Sequence, residues 1–414
     1  RPVSNATQAL QGLTPGLDIR QTSGSLGARP SINVRGTGSI DQGTSDSPLV
    51  LIDGMEGDIN SVNPQDIANI SVLKDAAASS IYGSRAPFGV ILITTKSGSG
   101  DGKVRINYNN NFRFGTPVNM NHTMNSVDFA AWMNDTFAND GKSAYFGAGD
   151  INDVSGGRFT RIQAYANATP VSNGVRRMAD GTLIYAMPYY DENSNQWKGG
   201  YSNGIDNVDW FDVLYKKWSF SQEHNFSATG GSKKFNFYTS GSFFDQNSNL
   251  NLGKSNLQRY TLTAKINSEL AKWLRMHLNM RFTREDYLRP ADLTDNMYNL
   301  MGRQWPVLPL YDRNGNPYIS DDTSVWNLAS GGSDKTQTDN LYNQIGFEIE
   351  PIKNWVTHID FNYRITSANR HWDKQKIYAY DRFGNPYERR KDSNVHEDLS
   401  KNNYYNFQAY TEYS

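Results

Sequence analysis

The sequence predicts an antiparallel β-barrel of the membrane-spanning kind, preceded by a small α/β domain. Three observations predict it. Hydropathy alternates with period two through most of residues 103–414. The connections between the alternating stretches are by turns short and long. The first hundred residues follow another pattern, short apolar runs broken by glycine and proline.

The alternation identifies strands. Trp355, Thr357, Ile359, Phe361, Tyr363 and Ile365 share one parity, and Val356, His358, Asp360, Asn362, Arg364 and Thr366 the other. Leu274, Met276, Leu278, Met280 and Phe282 alternate in the same way with Arg275, His277, Asn279, Arg281 and Thr283. A period of two puts successive side chains on opposite faces of a strand. Eight such strands are expected, at about 103–115, 218–229, 233–245, 256–268, 273–286, 340–350, 355–367 and 403–414. They are longer than typical globular strands and long enough to cross a bilayer at a tilt.

The connections give the membrane orientation. Residues 230–232, 269–272 and 351–354 are short links; residues 116–217, 246–255, 287–339 and 368–402 are longer ones. An outer-membrane barrel has short periplasmic turns at one end and longer extracellular loops at the other. Trp218, Trp273, Trp355 and Tyr413 sit near strand ends, where an interfacial aromatic girdle is expected.

Composition excludes other classes. The net charge of −1 gives no field that would select nucleic acid. Cysteine is absent, which removes disulfides, thiolate metal sites and Cys nucleophiles. The six His residues are scattered without metal-ligand spacing, and no Gly-x-Ser-x-Gly elbow follows a strand. No catalytic residue, metal or cofactor is expected, and the chain is not read as an enzyme. No run of about 18 apolar residues occurs, so no membrane helix is expected; a barrel strand hides its apolar half by alternation.

In residues 1–98, the runs at Ile32–Val34, Leu49–Ile52 and Val90–Thr95 read as short central strands. The alanine-rich segment 75–82, closed by Gly83, reads as a short helix with a glycine cap. Asp53-Gly54 is a turn signal in its own right, and Arg35 between a strand and Gly36 suits a structural ion pair. Gly98-Ser99-Gly100-Asp101-Gly102 looks like a phosphate loop, but no Lys-Ser/Thr and no helix follow, so it reads as a linker over residues 99–102.

Several of these motifs occur together. Asn33-Val34-Arg35-Gly36-Thr37-Gly38 is followed by Pro48-Leu49-Val50-Leu51-Ile52-Asp53-Gly54, then by Asn63-Pro64-Gln65-Asp66-Ile67. Val72-Leu73-Lys74-Asp75-Ala76-Ala77-Ala78, Ile81-Tyr82-Gly83-Ser84-Arg85-Ala86 and Gly89–Lys96 complete the series. In this order and spacing the segment closely resembles the plug domain of SusC/RagA-like, TonB-dependent outer-membrane transporters. Val208–Leu214 and Ser227–Ser232 resemble, more thinly, the region of the second barrel strand in the same family.

The resemblance implies a plug, residues 1–98, inside a barrel of which residues 103–414 hold the first eight strands. An eight-stranded barrel is filled by its own side chains, whereas plugged transporters have about 22 strands. At roughly 39 residues per strand, 22 strands need roughly 860 residues, so the chain is expected to be incomplete at both ends. The resemblance further implies active import across the bacterial outer membrane. The TonB complex would pull on an N-terminal segment by strand addition, and a SusD-like surface lipoprotein would act as a lid. The barrel would contact outer-membrane lipid, and a dimer of transporter–lipoprotein pairs is an allowed arrangement. Oligosaccharides are the expected cargo, with oligopeptides, or a siderophore or vitamin without a lid, as alternatives.

Candidate ligand contacts are Asp41, Asp46 and Arg85 on plug loops, and Tyr189, Tyr190, Trp197, Trp305 and Trp326 on the long loops. The aromatic residues suit stacking on sugar rings; packing within the loops or against the lid is their alternative. Arg35, Gly36, Asp53, Gly54, Gly83 and Arg85 form the structural motif of the plug. Tyr311–Tyr318 is nearly repeated at Tyr380–Tyr387. Asp312, Asn314 and Asn316 have calcium-loop spacing but lack its closing Glu, so the motif reads as a turn.

Overall fold

The computed structural model describes residues 17–21, 23–28, 30–34, 47–74, 82–83, 86–118, 120–147, 158–172, 174–186, 189–191, 196–198, 205–294, 299, 302–312, 314–319, 325–380 and 385–413, with Thr7 and Leu10. The alanine-rich segment 75–81 and the centre of the second Tyr-Asp-Arg copy, 381–384, lie outside the described residues.

The N-terminal part is a small mixed sheet. Strands β1 (Leu17–Arg20) and β2 (Ser31–Val34) form a hairpin. Strands β3 (Leu49–Ile52), β4 (Met55–Glu56), β5 (Ile67–Leu73) and β6 (Val90–Thr95) form a second sheet in the order β4-β3-β6-β5. Strands β3 and β6 pair in parallel and are its most apolar segments, as expected for strands covered on both faces. Ile52, Ile59, Val62, Ile91 and Ile93 are each at most 3% exposed and make one core. Asp53 and Gly54 have φ of 50° and 83° and join β3 to β4 as a two-residue hairpin turn. This is the mirror-image turn that Asp-Gly favours, because both central residues need positive φ.

Residues 105–413 build an eight-stranded antiparallel sheet in the order β21-β18-β17-β16-β15-β14-β13-β7. Its strands are β7 (Arg105–Gly115), β13 (Ser219–Gly231), β14 (Phe235–Asn247), β15 (Asn256–Ala271), β16 (Leu274–Pro290), β17 (Ser333–Ile352), β18 (Trp355–Lys374) and β21 (Asn394–Tyr413). Strand β7 pairs with β13; from there each strand pairs with the next. The wall is open, with β7 and β21 as its edges.

This wall is inside-out relative to a water-soluble sheet. Ser240, Thr261, Thr263, Lys265, Arg281 and Thr283 are buried on the face that meets the N-terminal sheet. Ile106, Phe114, Phe226, Leu262 and Phe407 are exposed on the other. Exposed apolar area on this scale needs a cover, and the alternation suits lipid outside and a polar lumen inside. The apolar band ends within one register step. Phe282, Leu341 and Ile365 lie in one row; the next row holds Arg284, Asp339 and Ser367. The Arg284 Nε and Nη2 groups donate to Asp339 at 2.7 and 2.6 Å. Beyond that row β16, β17 and β18 run on with mostly polar outer faces, while β21 exposes Leu399 and Val395 there.

The long connections are folded. Helices α1 (Ser126–Asn139) and α2 (Arg158–Asn167) pack with the small sheet β8 (Thr169–Ser172), β9 (Val175–Arg177), β10 (Leu183–Tyr185). Ala130, Phe146, Ile162, Tyr165 and Ile205 form their core, and Val307 from the next long connection completes it. A second core gathers Trp210, Leu214, Leu250, Leu293, Trp326, Leu328 and Ile377 from four connections. Helix α3 (Trp210–Leu214) is capped by Asp209, whose carboxylate accepts from Phe211 N at 3.0 Å.

Gly346 shows how closely the wall is fitted. It lies between His277 and Asp360 in register, and a Cβ there would sit 1.8 Å from His277 Nε2. The bare backbone lets the imidazole cross β17 to Asp360, at 2.8 Å. Gly346→Ala is expected to displace His277 and to cost about 1–3 kcal/mol of barrel stability. Thermal unfolding of the full-length protein measures this; an unchanged midpoint would show that the bridge contributes nothing.

Candidate functional site between plug and wall

Two short 3₁₀ turns bring the N-terminal sheet to the wall. Asp58 caps the turn Ile59–Ser61 by accepting from Asn60 N. Asn63 caps Pro64–Asp66 by accepting from Gln65 N, and Pro64 supplies a preset φ at the first position. The result points Asp66 into the wall. Its carboxylate accepts hydrogen bonds from Tyr238 Oη at 2.8 Å, Ser240 Oγ at 2.7 Å and Thr263 Oγ1 at 3.1 Å. Asp66 is 1% exposed, so these bonds are made away from water and are charge-assisted. Next to it, Thr283 Oγ1 donates to the Ser61 carbonyl at 2.9 Å, and Arg259 Nη1 to the Asn60 carbonyl at 3.3 Å.

Asp53 makes the second tie. From the β3–β4 turn its carboxylate accepts from Thr95 N and Thr95 Oγ1, at 2.9 and 2.7 Å, which joins the turn to the end of β6. The same carboxylate lies 2.9 Å from Lys265 Nζ and accepts from Asn279 Nδ2 at 3.0 Å. Lys265 also donates to the Thr95 carbonyl at 3.2 Å. Both side chains of the ion pair are 10% exposed. Burial acts to raise the Asp53 carboxyl, but the Lys265 ammonium and the Thr95 hydrogen bonds outweigh it and hold it below its ordinary value. Further along the wall, Arg364 Nη1 donates to the Glu56 carbonyl at 3.0 Å.

Two cavities flank these ties. One of about 240 Å³ lies towards the long connections. Residues 21 and 23–28 of the β1–β2 connection, with Asn60, form one side, and Phe244, Gln246, Leu257, Arg259 and Glu285 the other. Phe244 lies between the Arg113 and Arg259 guanidinium groups, at 5.8 and 5.2 Å, and Arg113 pairs with Glu223 at 2.7 Å. An aromatic face flanked by charged groups, beside a loop of Ser, Gly and Gln, suits a polar, hydroxyl- or amide-rich ligand. The other cavity, about 410 Å³, lies towards the short turns and is lined by Lys233, Lys234, Asn236, Asn267, Arg275 and His277 among others.

The residues singled out in the sequence fall in four groups. Arg35, Gly36, Asp41, Asp46 and Arg85 lie outside the described residues. Asp53 and Gly54 form the turn above, and Gly83 has φ of 60°. Tyr189 and Tyr190 lie on β11 (Tyr189–Asp191) and Trp197 on β12 (Gln196–Lys198), with Tyr190 opposite Trp197; their side chains are outside the described part. Trp305 packs against Phe129 and Tyr145 with ring centroids 5.4 and 5.5 Å apart, and Trp326 is 8% exposed against Tyr311. Both are parts of loop cores in this structure. The structure brings Asp53 to Lys265, and Asp66, Arg259, Glu285 and residues 21 and 23–28 into the same interface; none of the last four was singled out. The signal was present: Asn63-Pro64 is a cap followed by a helix-starting proline, which fixes where Asp66 points.

Among the described residues, His122, Asp209 and Asp212 bring metal-ligating atoms within 4.8 Å of one another. Asp209 is already engaged with His122, Thr123 and Phe211 N, so the group ties the chain before α1 to α3. Asp312 accepts from Asn314 N and Asn316 N, both at 2.8 Å, so its carboxylate closes a turn.

Comparison with known proteins follows the same lines. Residues 1–90 match the TonB-dependent Receptor Plug Domain family. TonB-dependent receptor P26 of Formosa agariphila is 26% identical over 372 residues, 87% of this chain and 32% of that protein. TonB-dependent receptor SusC of Bacteroides thetaiotaomicron is 34% identical over 141 residues, 32% of this chain and 14% of that protein. The RagAB peptide importer in its closed-closed state superposes over 100% of this chain and 44% of that chain, with a TM-score of 0.71 and 22% identity. The chain thus spans about a third of the first of these relatives and less of the second.

A lumen-facing polar wall, an apolar exterior and a small sheet seated against the wall define a plugged outer-membrane receptor of the TonB-dependent class. Within that class, the chain is similar to the SusC-like TonB-dependent transporters.

Proposed function

We propose that the full-length protein imports oligosaccharides across the bacterial outer membrane, energised by the TonB complex and assisted by a SusD-like surface lipoprotein. Residues 1–98 act as the plug, 99–102 as the link, and 103–414 as the first eight strands of a barrel of about 22. The observation that carries the reading is the plug fastened inside a lipid-facing wall by hydrogen bonds and the Asp53–Lys265 ion pair. Such a seal closes the lumen yet breaks bond by bond when the plug is pulled. A dry apolar seal would not exchange its bonds for water in this way. Similarity to SusC favours a glycan cargo. Similarity to the RagAB peptide importer supports the fold and makes oligopeptides the alternative. The folded connections, with two cores of their own, give a lipoprotein lid a preformed surface to rest on.

Mass spectrometry of the full-length protein, purified gently from outer membranes, tests this. A stoichiometric lipoprotein and hexose-spaced ladders of released molecules are expected. Peptides in place of sugars would move the cargo to the alternative. A barrel with no lipoprotein would overturn the paired-transporter reading.

A further inference from the structure

We propose that cargo passes between plug and wall along the lumen face of β14–β16, and that Asp53 and Asp66 close this path. The path rests on the import reading above. Its basis is the order of features along the register of three neighbouring strands. Phe244, Arg259 and Glu285 share a row and line the cavity on the long-loop side. Asn236, Asn267 and His277 share a row and line the cavity on the short-turn side. Three rows separate them: Ser242–Thr261–Thr283, Ser240–Thr263–Arg281 and Tyr238–Lys265–Asn279.

Each of these rows is closed by a group of the plug. Ser61 carbonyl meets Thr283 in the first. Asp66 meets Ser240, Thr263 and Tyr238 across the second and third. Asp53 meets Lys265 and Asn279 in the third. From the first row to the last is four residues, about 14 Å along a strand at about 3.4 Å per residue. The barrier is therefore short.

The chemistry is lopsided. The plug contributes carboxylates and the Ser61 and Thr95 carbonyls, which only accept; the wall contributes hydroxyls, an amide and an ammonium, which donate. When the plug groups leave, the wall donors remain as a polar ladder that water and a hydroxyl-rich cargo can occupy in turn. Withdrawing residues 53–66 from the wall would join the two cavities and, through Ile59 and Val62, would pull on the core these two share with Ile52, Ile91 and Ile93.

Thiol accessibility tests the path, because the 414 residues contain no cysteine. Single replacements Asn267→Cys and Gln408→Cys are made in a cysteine-free full-length protein in cells. Both positions lie in one register row of the wall, Asn267 in the short-turn cavity and Gln408 on β21. The probe is an impermeant maleimide, too large for general porins, added outside. Labelling of Asn267→Cys is expected to fall at least about tenfold when a protonophore removes the driving force, and to rise again without it when Asp66→Asn is added. Gln408→Cys is expected not to respond. Gln344→Cys, lining the same cavity, replaces Asn267→Cys should the latter fail to assemble. Labelling of Gln408→Cys equal to that at Asn267 or Gln344 would overturn the path. If no wall position responds to energy while exposed Lys142→Cys labels freely, the energised-import reading itself is overturned.

Discussion

Asp66→Ala is expected to unseat the plug. The carboxylate is the shared acceptor of three buried hydroxyls, each about 3% exposed or less. A hydrogen bond to a charged group contributes about 1.5–3 kcal/mol, and a buried donor left without an acceptor costs about 1–3 kcal/mol. Losing all three bonds at once should weaken plug seating by about 3–5 kcal/mol. Tyr238→Phe removes one donor and should cost about 1–2 kcal/mol. The change is read as the urea concentration at which residues 49–73 lose hydrogen-exchange protection while the wall strands keep theirs. Equal protection in Asp66→Ala and the parent would mean that Asp66 does not hold the plug.

Lys265→Met is the second large effect. It leaves the Asp53 carboxylate buried beside Asn279 and Thr95 with no ammonium, and breaking a buried pair on one side costs about 3–5 kcal/mol. The double change Asp53→Asn with Lys265→Met should cost clearly less than Lys265→Met alone, because no uncompensated charge remains. Acid gives an independent check. The folded carboxyl of Asp53 is held below its ordinary value of 3.8. Its contribution to seating is therefore present above that value and disappears as pH falls through the lower, folded one. Parent plug seating should weaken in that acid range, and Lys265→Met should flatten the dependence. Identical acid profiles for the two proteins would show that the pair does not couple plug to wall.

The sequence by itself determined the wall strands and three strands of the plug, β2, β3 and β6, since each rests on a local pattern; β1, β4 and β5 carry no such run and came only from the structure. Period-two alternation located all eight wall strands, because one face meets lipid and the other a polar lumen. Asp53-Gly54 specified its turn because few residue pairs accept positive φ twice. The same rule explains where the reading stopped. Strands β17, β18 and β21 were expected at 340–350, 355–367 and 403–414, but they run over Ser333–Ile352, Trp355–Lys374 and Asn394–Tyr413. The added residues lie past the Arg284–Asp339–Ser367 row, where most side chains on both faces are polar and hydropathy no longer alternates. Only backbone pairing reveals a strand there.

The connections were legible as long but not as folded. Their cores draw single residues from distant segments, such as Val307 beneath α1 and α2, or Ile377 beside Trp210. No local period announces a contact between chain segments a hundred residues apart. The loop aromatics illustrate this, since Trp305 and Trp326 look the same in sequence whether they face a ligand or a core. The seal was hidden for the same reason. Asp66 meets Tyr238, Ser240 and Thr263, and Asp53 meets Lys265 and Asn279, across separations of roughly two hundred residues. Polar lumen positions such as Lys265 are expected from alternation, but which carboxylate each one meets depends on how the plug sits. Local patterning determined the elements and their faces; the tertiary structure alone decided how plug and wall are fastened, because that fit is made by side chains brought together only when both have folded.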